Sequence, residues 1–568
     1  MAGSKSTSGK APAGKSTDAK KALQIKTAMK AMKAMKCRAE ANSESSKRVR
    51  EASLSRSFAS PVAKSRRKGT PDVHNSVIKL FASHVQPNYA QPWCSDAQTS
   101  STSTAWPIRL ANGALRLVTN AHSVEHASLV QVKRHSFEQQ GRNSIIDGRK
   151  WVAKVLCIGP DCDLALLEVP SLDFWKNLTP LDIFPGLPKL QDDVRVIGYP
   201  TGGESLSVTQ GVVSRIDLVE YAQSGMVLLG IQIDAAINSG NSGGPVVDSK
   251  GHCIGVAFQN LSGEDDGAEN IGYVIPSEIV LHFLEDYTRN KSFTGFGTAG
   301  FSYQPLESPM LRESMGLLKG QSGVRVKTVD AAGASAGILQ PDDVLLRVDG
   351  HQVGNDGSVN FARGRIPFPY LLQKCFTGQA IDVSILRPSS DKGSSTKLNF
   401  NIKVQRGQGL VNSDTGGPHA KPGCVAPRYL IAGGLVFVPL TVPFLASAFG
   451  ENFAEERPGE LSVELLALSE NGVKESLGHE ALVLVSVLAS EVTIGYSDME
   501  HEILDSFNGT KVENLKHLAD LLDKNRDRYL RFQFKAKNII ALDSAQAKKM
   551  LPAILAQNMI PAARSKRL

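Results

Sequence analysis

Apolar residues change their spacing along this 568-residue chain, and the spacing predicts its organisation. Short runs such as Leu115-Arg116-Leu117-Val118, Leu129-Val130-Gln131-Val132, Val152-Ala153-Lys154-Val155-Leu156 and Val194-Arg195-Val196-Ile197 are bounded by turn residues and read as strands. From residue 77 to about 293 such runs recur with Gly-rich turns, which predicts a sandwich or barrel. Further on, 515–522 carries the period of an amphipathic helix and 529–534 that of a strand. Segment 429–449 is apolar enough to suggest a membrane span. Gly433-Gly434, Pro439 and Pro443 interrupt it, however, so the runs between them are expected to be paired buried strands.

Composition adds a boundary at the N-terminal side. A hydrophobic content of 41% allows real cores in three or four domains, but residues 1–72 hold eighteen Lys/Arg against five Asp/Glu, out of a net charge of +8. Such a segment cannot bury enough apolar surface to offset chain entropy and is expected to be disordered. Within it, the triplet repeat Met29-Lys30-Ala31-Met32-Lys33-Ala34-Met35-Lys36 suits a short basic helix. There is no apolar core of a secretory signal. The clusters Lys47-Arg48-Val49-Arg50 and Lys64-Ser65-Arg66-Arg67-Lys68 fit a nuclear or nucleolar address, or nucleic-acid contact by the tail. The acid-poor composition also fits an import sequence for chloroplast or mitochondrion. The ending Ser565-Lys566-Arg567-Leu568 is not the peroxisomal signal. Seven cysteines without a CxxC pair point to a reducing compartment, with Cys157 and Cys162 as packed thiols.

Candidate chemistry sits at Asn238-Ser239-Gly240-Asn241-Ser242-Gly243-Gly244-Pro245. A serine between glycines on a tight loop exposes its hydroxyl, while the N–H groups of Gly240 and Ser242 converge as an oxyanion hole. Upstream, an apolar strand runs into His122, and Asp163 opens another. Each alone reads as a capping or satisfied polar residue, but the order His, Asp, Ser supplies a base, its orienting partner and a nucleophile. Two rival motifs fail. The Gly-x-Ser-x-Gly elbow needs a helix directly after the serine, whereas 246–248, a Ser-Lys-Gly turn and 253–258 read as a hairpin. His122 and His126 have the spacing of a zinc protease but lack its Glu, so neither metal nor cofactor is expected.

The words TNAHSV (119–124), CDLALL (162–167), GYPTGG (198–203), NSGNSGGP (238–245) and NIGYVIP (270–276) resemble the trypsin-fold Deg/HtrA serine proteases, in particular their plant and algal branch with two PDZ domains. The resemblance implies a mainly β protein: a double Greek-key β-barrel over 73–293, a PDZ domain over 298–405 and a degenerate second PDZ domain with an extension over 410–568. It assigns His122, Asp163 and Ser242 as the catalytic residues and Gly240 with Ser242 as the oxyanion hole. Val256, Ala257 and Phe258 would line the substrate pocket; with no buried charge they predict small or medium apolar side chains at the cleaved position. Ala299, Gly300 and Phe301 fall where a PDZ domain clasps a chain terminus as an added strand.

The expected activity is ATP-independent endoproteolysis of unfolded or damaged proteins, since no Walker-type phosphate loop occurs. The rival is a proteolytically silent PDZ scaffold or chaperone. Relatives have a Gly-Ser-Gly-Phe type segment where this chain has Ser103-Thr104-Ala105-Trp106, either a core swap or a sign of altered activity. Asn241 precedes the nucleophile where cleavage-activated relatives carry an Asp, so activation is expected from loops 178–192, 199–206 and 260–269, driven by homo-oligomerisation and peptide binding. Phe81, Tyr89 and Trp93 are candidate trimer contacts, or else fold over their own barrel.

Overall fold

The computed structural model describes residues 73–134, 148–261, 271–362, 364–388, 395–407, 409–411, 426–450, 453–456 and 461–568. The basic segment 1–72 and most of loop 260–269 lie outside the described residues, as do Cys37 and Cys424.

Strands β1 (Ile78–His84), β2 (Thr99–Arg109), β3 (Leu115–Thr119), β4 (Ala127–Arg134), β5 (Lys150–Gly159) and β6 (Leu164–Glu168) form a closed barrel. Its order is β1-β2-β3-β6-β5-β4, with β4 returning to β1. Strands β7 (Asp193–Gly198), β8 (Ser207–Tyr221), β9 (Met226–Ile233), β10 (Pro245–Asp248), β11 (Cys253–Leu261) and β12 (Ile271–Pro276) close a second. Reading that barrel from β7, the order is β7-β8-β9-β12-β11-β10, the same Greek key repeated. Alternation makes these strands: along β5, Trp151 and Ala153 turn inward while Lys150 and Val152 face water. Leu80, Val132, Trp151 and Leu167 fill the first barrel, and Val194, Val196, Ile231 and Ile233 the second. A third cluster, including Trp106, Leu166, Tyr221 and Val256, continues past the barrels. The helix Ser277–Asn290 buries Ile279, Val280, Phe283 and Leu284 against it.

Next comes a sheet ordered 301–305, 324–329, 344–348, 380–388 and 395–403, with the short helices Pro309–Ser314 and Pro369–Gln373. Its entry and exit are tied where Gly297–Thr298 pairs with Gln405–Arg406. The last sheet runs 430–432, 435–439, 482–487, 502–507, 529–534 and 539–543, and the helix predicted over 515–522 spans Leu515–Lys524. In 429–449 the first two runs are paired buried strands, but the third is a helix, Val442–Phe449. Thr441 Oγ1 accepts from Phe444 N, and Pro443 lies in the first turn, where its missing N–H costs nothing. No helix among the described residues is long and apolar enough to cross a membrane.

Two of the three aromatics near the start are used within the chain. Tyr89 is buried in the core of the last domain, and Trp93 meets Tyr429 edge-on at 5.8 Å. Phe81 stays on its barrel, with Lys150 Nζ 3.6 Å from its ring centroid. The five described cysteines are free thiols. Burial, with the charge of Asp286, pushes the Cys157 thiol up to about 12, so it is inert at neutral pH.

Candidate active site

β3 and β6 are antiparallel neighbours, with Leu117 opposite Leu167 and Thr119 opposite Ala165. A residue just past the end of β3 therefore meets one just before β6, and those residues are His122 and Asp163. Asp163 Oδ2 lies 2.8 Å from His122 Nδ1, and its Oδ1 accepts the His122 backbone N–H at 3.0 Å. The bidentate grip places the imidazole proton on Nδ1 and leaves Nε2 as the free base. Asp163 is almost wholly buried and sits in the left-handed region (φ 49°, ψ 44°) as the cap of the turn Pro160–Cys162. Its N–H donates to Pro160 O at 3.2 Å and its carbonyl accepts from Asn120 Nδ2 at 2.9 Å, so the strained backbone is held from both ends. Burial alone would depress the imidazole pKa. The charge and hydrogen bond of Asp163, with the charge of Glu125, outweigh it and hold His122 above its ordinary 6.5.

Ser242 belongs to the second barrel, in the turn before β10. Asn241 N–H donates to Asn238 O, Gly244 N–H to Asn241 O and Gly243 N–H to Ala257 O, each at 2.9 Å. The N–H groups of Gly240 and Ser242 donate to no acceptor among the described residues. The glycines on either side of Ser242 need their lack of a side chain. Gly240 has φ +96° and a Cβ there would strike Tyr199 O and Thr201 N; Gly243 has φ +80° and a Cβ would strike Thr104 O and Thr119 Oγ1. The Ser242 loop thus rests on β2 and on the end of β3, three positions before His122. Ser242 Oγ makes no hydrogen bond among the described residues; in an unliganded serine hydrolase that bond commonly tightens only around substrate.

The residue that seats the loop was not singled out by its sequence. Thr104, fully buried on β2, donates its backbone N–H to Ser242 O (3.0 Å) and its Oγ1 to Gly240 O (2.8 Å), and Oγ1 accepts from Tyr199 N (2.9 Å). Thr119 Oγ1 donates to Thr104 O at 2.8 Å. The stretch 103–106 was notable only as a departure; a hydroxyl on an inward strand position was the available signal. Next to it Trp106 is wholly buried opposite Val118, so it is packed as core.

Asn241 is buried, and its Oδ1 packs against Gly198 with no donor among the described residues. Of the expected activation loops, 199–206 touches the site directly, through Thr201 N–H to Ser239 O at 2.7 Å. Its Glu204 is paired with Lys79 of β1 at 2.9 Å. The turn between β8 and β9, unnoticed in the sequence, reaches further: Tyr221 stacks on Phe258 at 4.6 Å, and Ser224 Oγ donates to Asp161 O at 3.1 Å. The three residues expected to line the pocket are all buried: Val256 and Phe258 pack with Tyr221, and Ala257, on the opposite face of the strand, packs with Val246 and Ile254 in the second barrel. Around His122 and His126, as elsewhere among the described residues, no three His, Cys, Asp or Glu side chains group as metal ligands.

Ala299, Gly300 and Phe301 line a cavity of about 340 Å³ with Tyr303, Phe368 and Leu372. Ala299 O accepts from Ser335 N and Gly300 O from Asp330 N, both at 3.0 Å. A trans peptide directs each N–H opposite the preceding carbonyl, so the Gly300 N–H faces away from segment 330–335. Gly472 and Val473 of the last domain form part of the rim.

Two six-stranded Greek-key barrels, with a half-buried His paired to a buried Asp on one and a serine in a glycine turn of the other, define a serine endopeptidase of the trypsin fold. The comparisons agree. A trypsin-like peptidase domain model matches residues 108–256, and a PDZ domain model matches 422–567, the segment expected to be the weaker of the two PDZ domains. Protease Do-like 2, chloroplastic, of Arabidopsis thaliana is 40% identical over 86% of this chain and 75% of its own length. Protease Do-like 4, mitochondrial, of the same plant is 33% identical over 86% of this chain and 84% of its own. The solved HtrA-type protease AlgW with tripeptide is similar over 59% of this chain and 95% of its own, with 26% identity and a TM-score of 0.45. The chain belongs to the Do-like (Deg/HtrA) family of serine proteases. The names of these relatives give no support to a nuclear address and favour the organelle alternative.

Proposed function

We propose that Ser242 attacks the scissile carbonyl while His122 Nε2 takes its proton, and that His122 then returns the proton to the leaving amine. Asp163 fixes the tautomer and stabilises the imidazolium. The N–H groups of Gly240 and Ser242 receive the tetrahedral oxyanion, each worth about 3 kcal/mol of barrier. The observation that carries this reading is the pair of hydrogen bonds between Asp163 and His122 beside a Ser242 loop seated on Thr104 and Thr119. Water then cleaves the acyl-enzyme without ATP. The substrates are unfolded or damaged proteins, with peptide termini held at Ala299–Phe301 in a PDZ domain over 298–405 and the protease working as a homo-oligomer. The basic N-terminal segment is an address for chloroplast or mitochondrion.

A fluorophosphonate probe tests the site. It is expected to label Ser242 alone, mapped by peptide mass spectrometry, at a rate that rises with pH. Only the neutral imidazole can accept the serine proton, and Asp163 raises the pKa of that imidazole, so the midpoint is expected above 6.5. Label on another residue, or a midpoint below that value, would contradict the assignment. With Val256 and Phe258 apolar and buried, a peptide library is expected to show cleavage after Val or Ala in preference to Arg; an Arg preference would overturn the pocket assignment.

A further inference from the structure

Outside the triad, one buried ion pair joins the protease barrels to the domain that follows them. Asp161 is the middle residue of the turn Pro160–Cys162, two positions before Asp163, and its side chain is 4% exposed. Arg406, at the exit strand of the 301–403 sheet, reaches back 245 positions to grip it: Nη2 lies 2.7 Å from Oδ1 and Nε 3.2 Å from Oδ2. The guanidinium also lies over the Phe293 ring, 5.9 Å from its centroid. Room for the Arg406 stem is left by Gly295, where a Cβ would strike its Cγ and Cδ. The Asp161 carbonyl is held separately by Ser224. The other ionisable groups at this turn are Cys162 and Asp163 themselves, with Cys157 and Tyr221 beside them; Asp286, from the helix Ser277–Asn290, is bonded to Asn290 and Thr294.

We propose that Arg406 is a positioning residue for catalysis, which holds Asp163 in its left-handed conformation by clamping Asp161. This rests on the roles given above to His122, Asp163 and Ser242. A carboxylate buried next to the turn is stable there only while its charge is paired. Without the guanidinium, Asp161 is an unpaired buried carboxylate and must rotate toward water. That rotation twists the turn that ends in Asp163 and loosens the grip of Asp163 on His122. A displacement of an ångström at such a group lowers turnover on the order of a hundredfold. A fork is needed because both carboxylate oxygens are engaged, so Lys is a poor replacement.

The test uses the full-length protein, with turnover of a fluorogenic peptide measured for wild type, R406Q, R406K, D161N and D161N/R406Q. R406Q is expected to lose on the order of a hundredfold in kcat with little change in KM, and its pH midpoint is expected to fall as His122 loses its carboxylate. R406K is expected to fall between R406Q and wild type. The double variant, in which two neutral amides can bond, is expected to recover at least about tenfold over R406Q, since the buried charge is gone. Should R406Q not fold, R406K and the double variant carry the comparison. A kcat of R406Q within about twofold of wild type, a loss in KM alone with an unmoved pH midpoint, or a double variant equal to the product of the singles would overturn the proposal. Ser242→Ala runs alongside: if it alone removes wild-type turnover, the triad reading stands, and a negative result for Arg406 counts against the clamp only.

Discussion

Replacing Ser242 by Ala is expected to end digestion of casein, with kcat falling on the order of 10⁶-fold, because the substitution removes the hydroxyl proposed to attack the carbonyl. The fold is expected to survive. Ser242 Oγ makes no hydrogen bond among the described residues, whereas its backbone carbonyl, which Thr104 holds at 3.0 Å, is kept by alanine. Melting temperature and circular dichroism should therefore match wild type while the casein band persists. The same experiment separates the enzyme from the silent scaffold: a scaffold predicts no wild-type turnover at any pH or temperature tried, and then nothing for the substitution to remove.

The words around His122, Asp163 and Ser242 were legible because each is a short stretch whose local geometry limits which residues fit. A serine that must sit between two turns of positive φ needs Gly240 and Gly243, and an acid that must open a strand next to the histidine strand needs the run that follows it to be apolar. The barrels were legible for a similar local reason: inward and outward residues alternate. What stayed hidden depends on register between distant strands. Thr104 looks like any threonine until β2 is laid against the nucleophile turn, and Arg406 like any charged strand end until it is found on Asp161. That Val256 and Phe258 pack with one cluster and Ala257 with another likewise follows from the pairing of the strand with its neighbours. The helix Val442–Phe449 was hidden by its Val and Pro content, which local propensity reads as extended; a single threonine cap and the first-turn position of Pro443 decide otherwise. Tyr89 and Trp93 were recognised as contact residues, but what they contact lies more than three hundred positions away.

Asp163→Asn is expected to cost about 10⁴-fold in kcat with KM nearly unchanged. The carboxylate uses both oxygens, one on the His122 backbone N–H and one on Nδ1. An amide has one oxygen to offer. If that oxygen keeps the backbone N–H, the NH₂ group points at Nδ1 and forces the proton to Nε2, which then faces the serine as a donor and cannot take its proton. If the amide flips, the Nδ1 proton is satisfied but the backbone N–H of His122 is left facing a donor inside a buried turn, and the ring loses its anchor. Charge acts in the same direction. Burial depresses the imidazole pKa, and with the opposing Asp163 gone the midpoint of any residual turnover should move to lower pH than in wild type. That shift distinguishes loss of an orienting carboxylate from simple damage to the fold, which would lower the active fraction and leave the midpoint where it was. A variant with wild-type kcat, or one whose reduced activity kept the wild-type pH midpoint, would remove Asp163 from the mechanism.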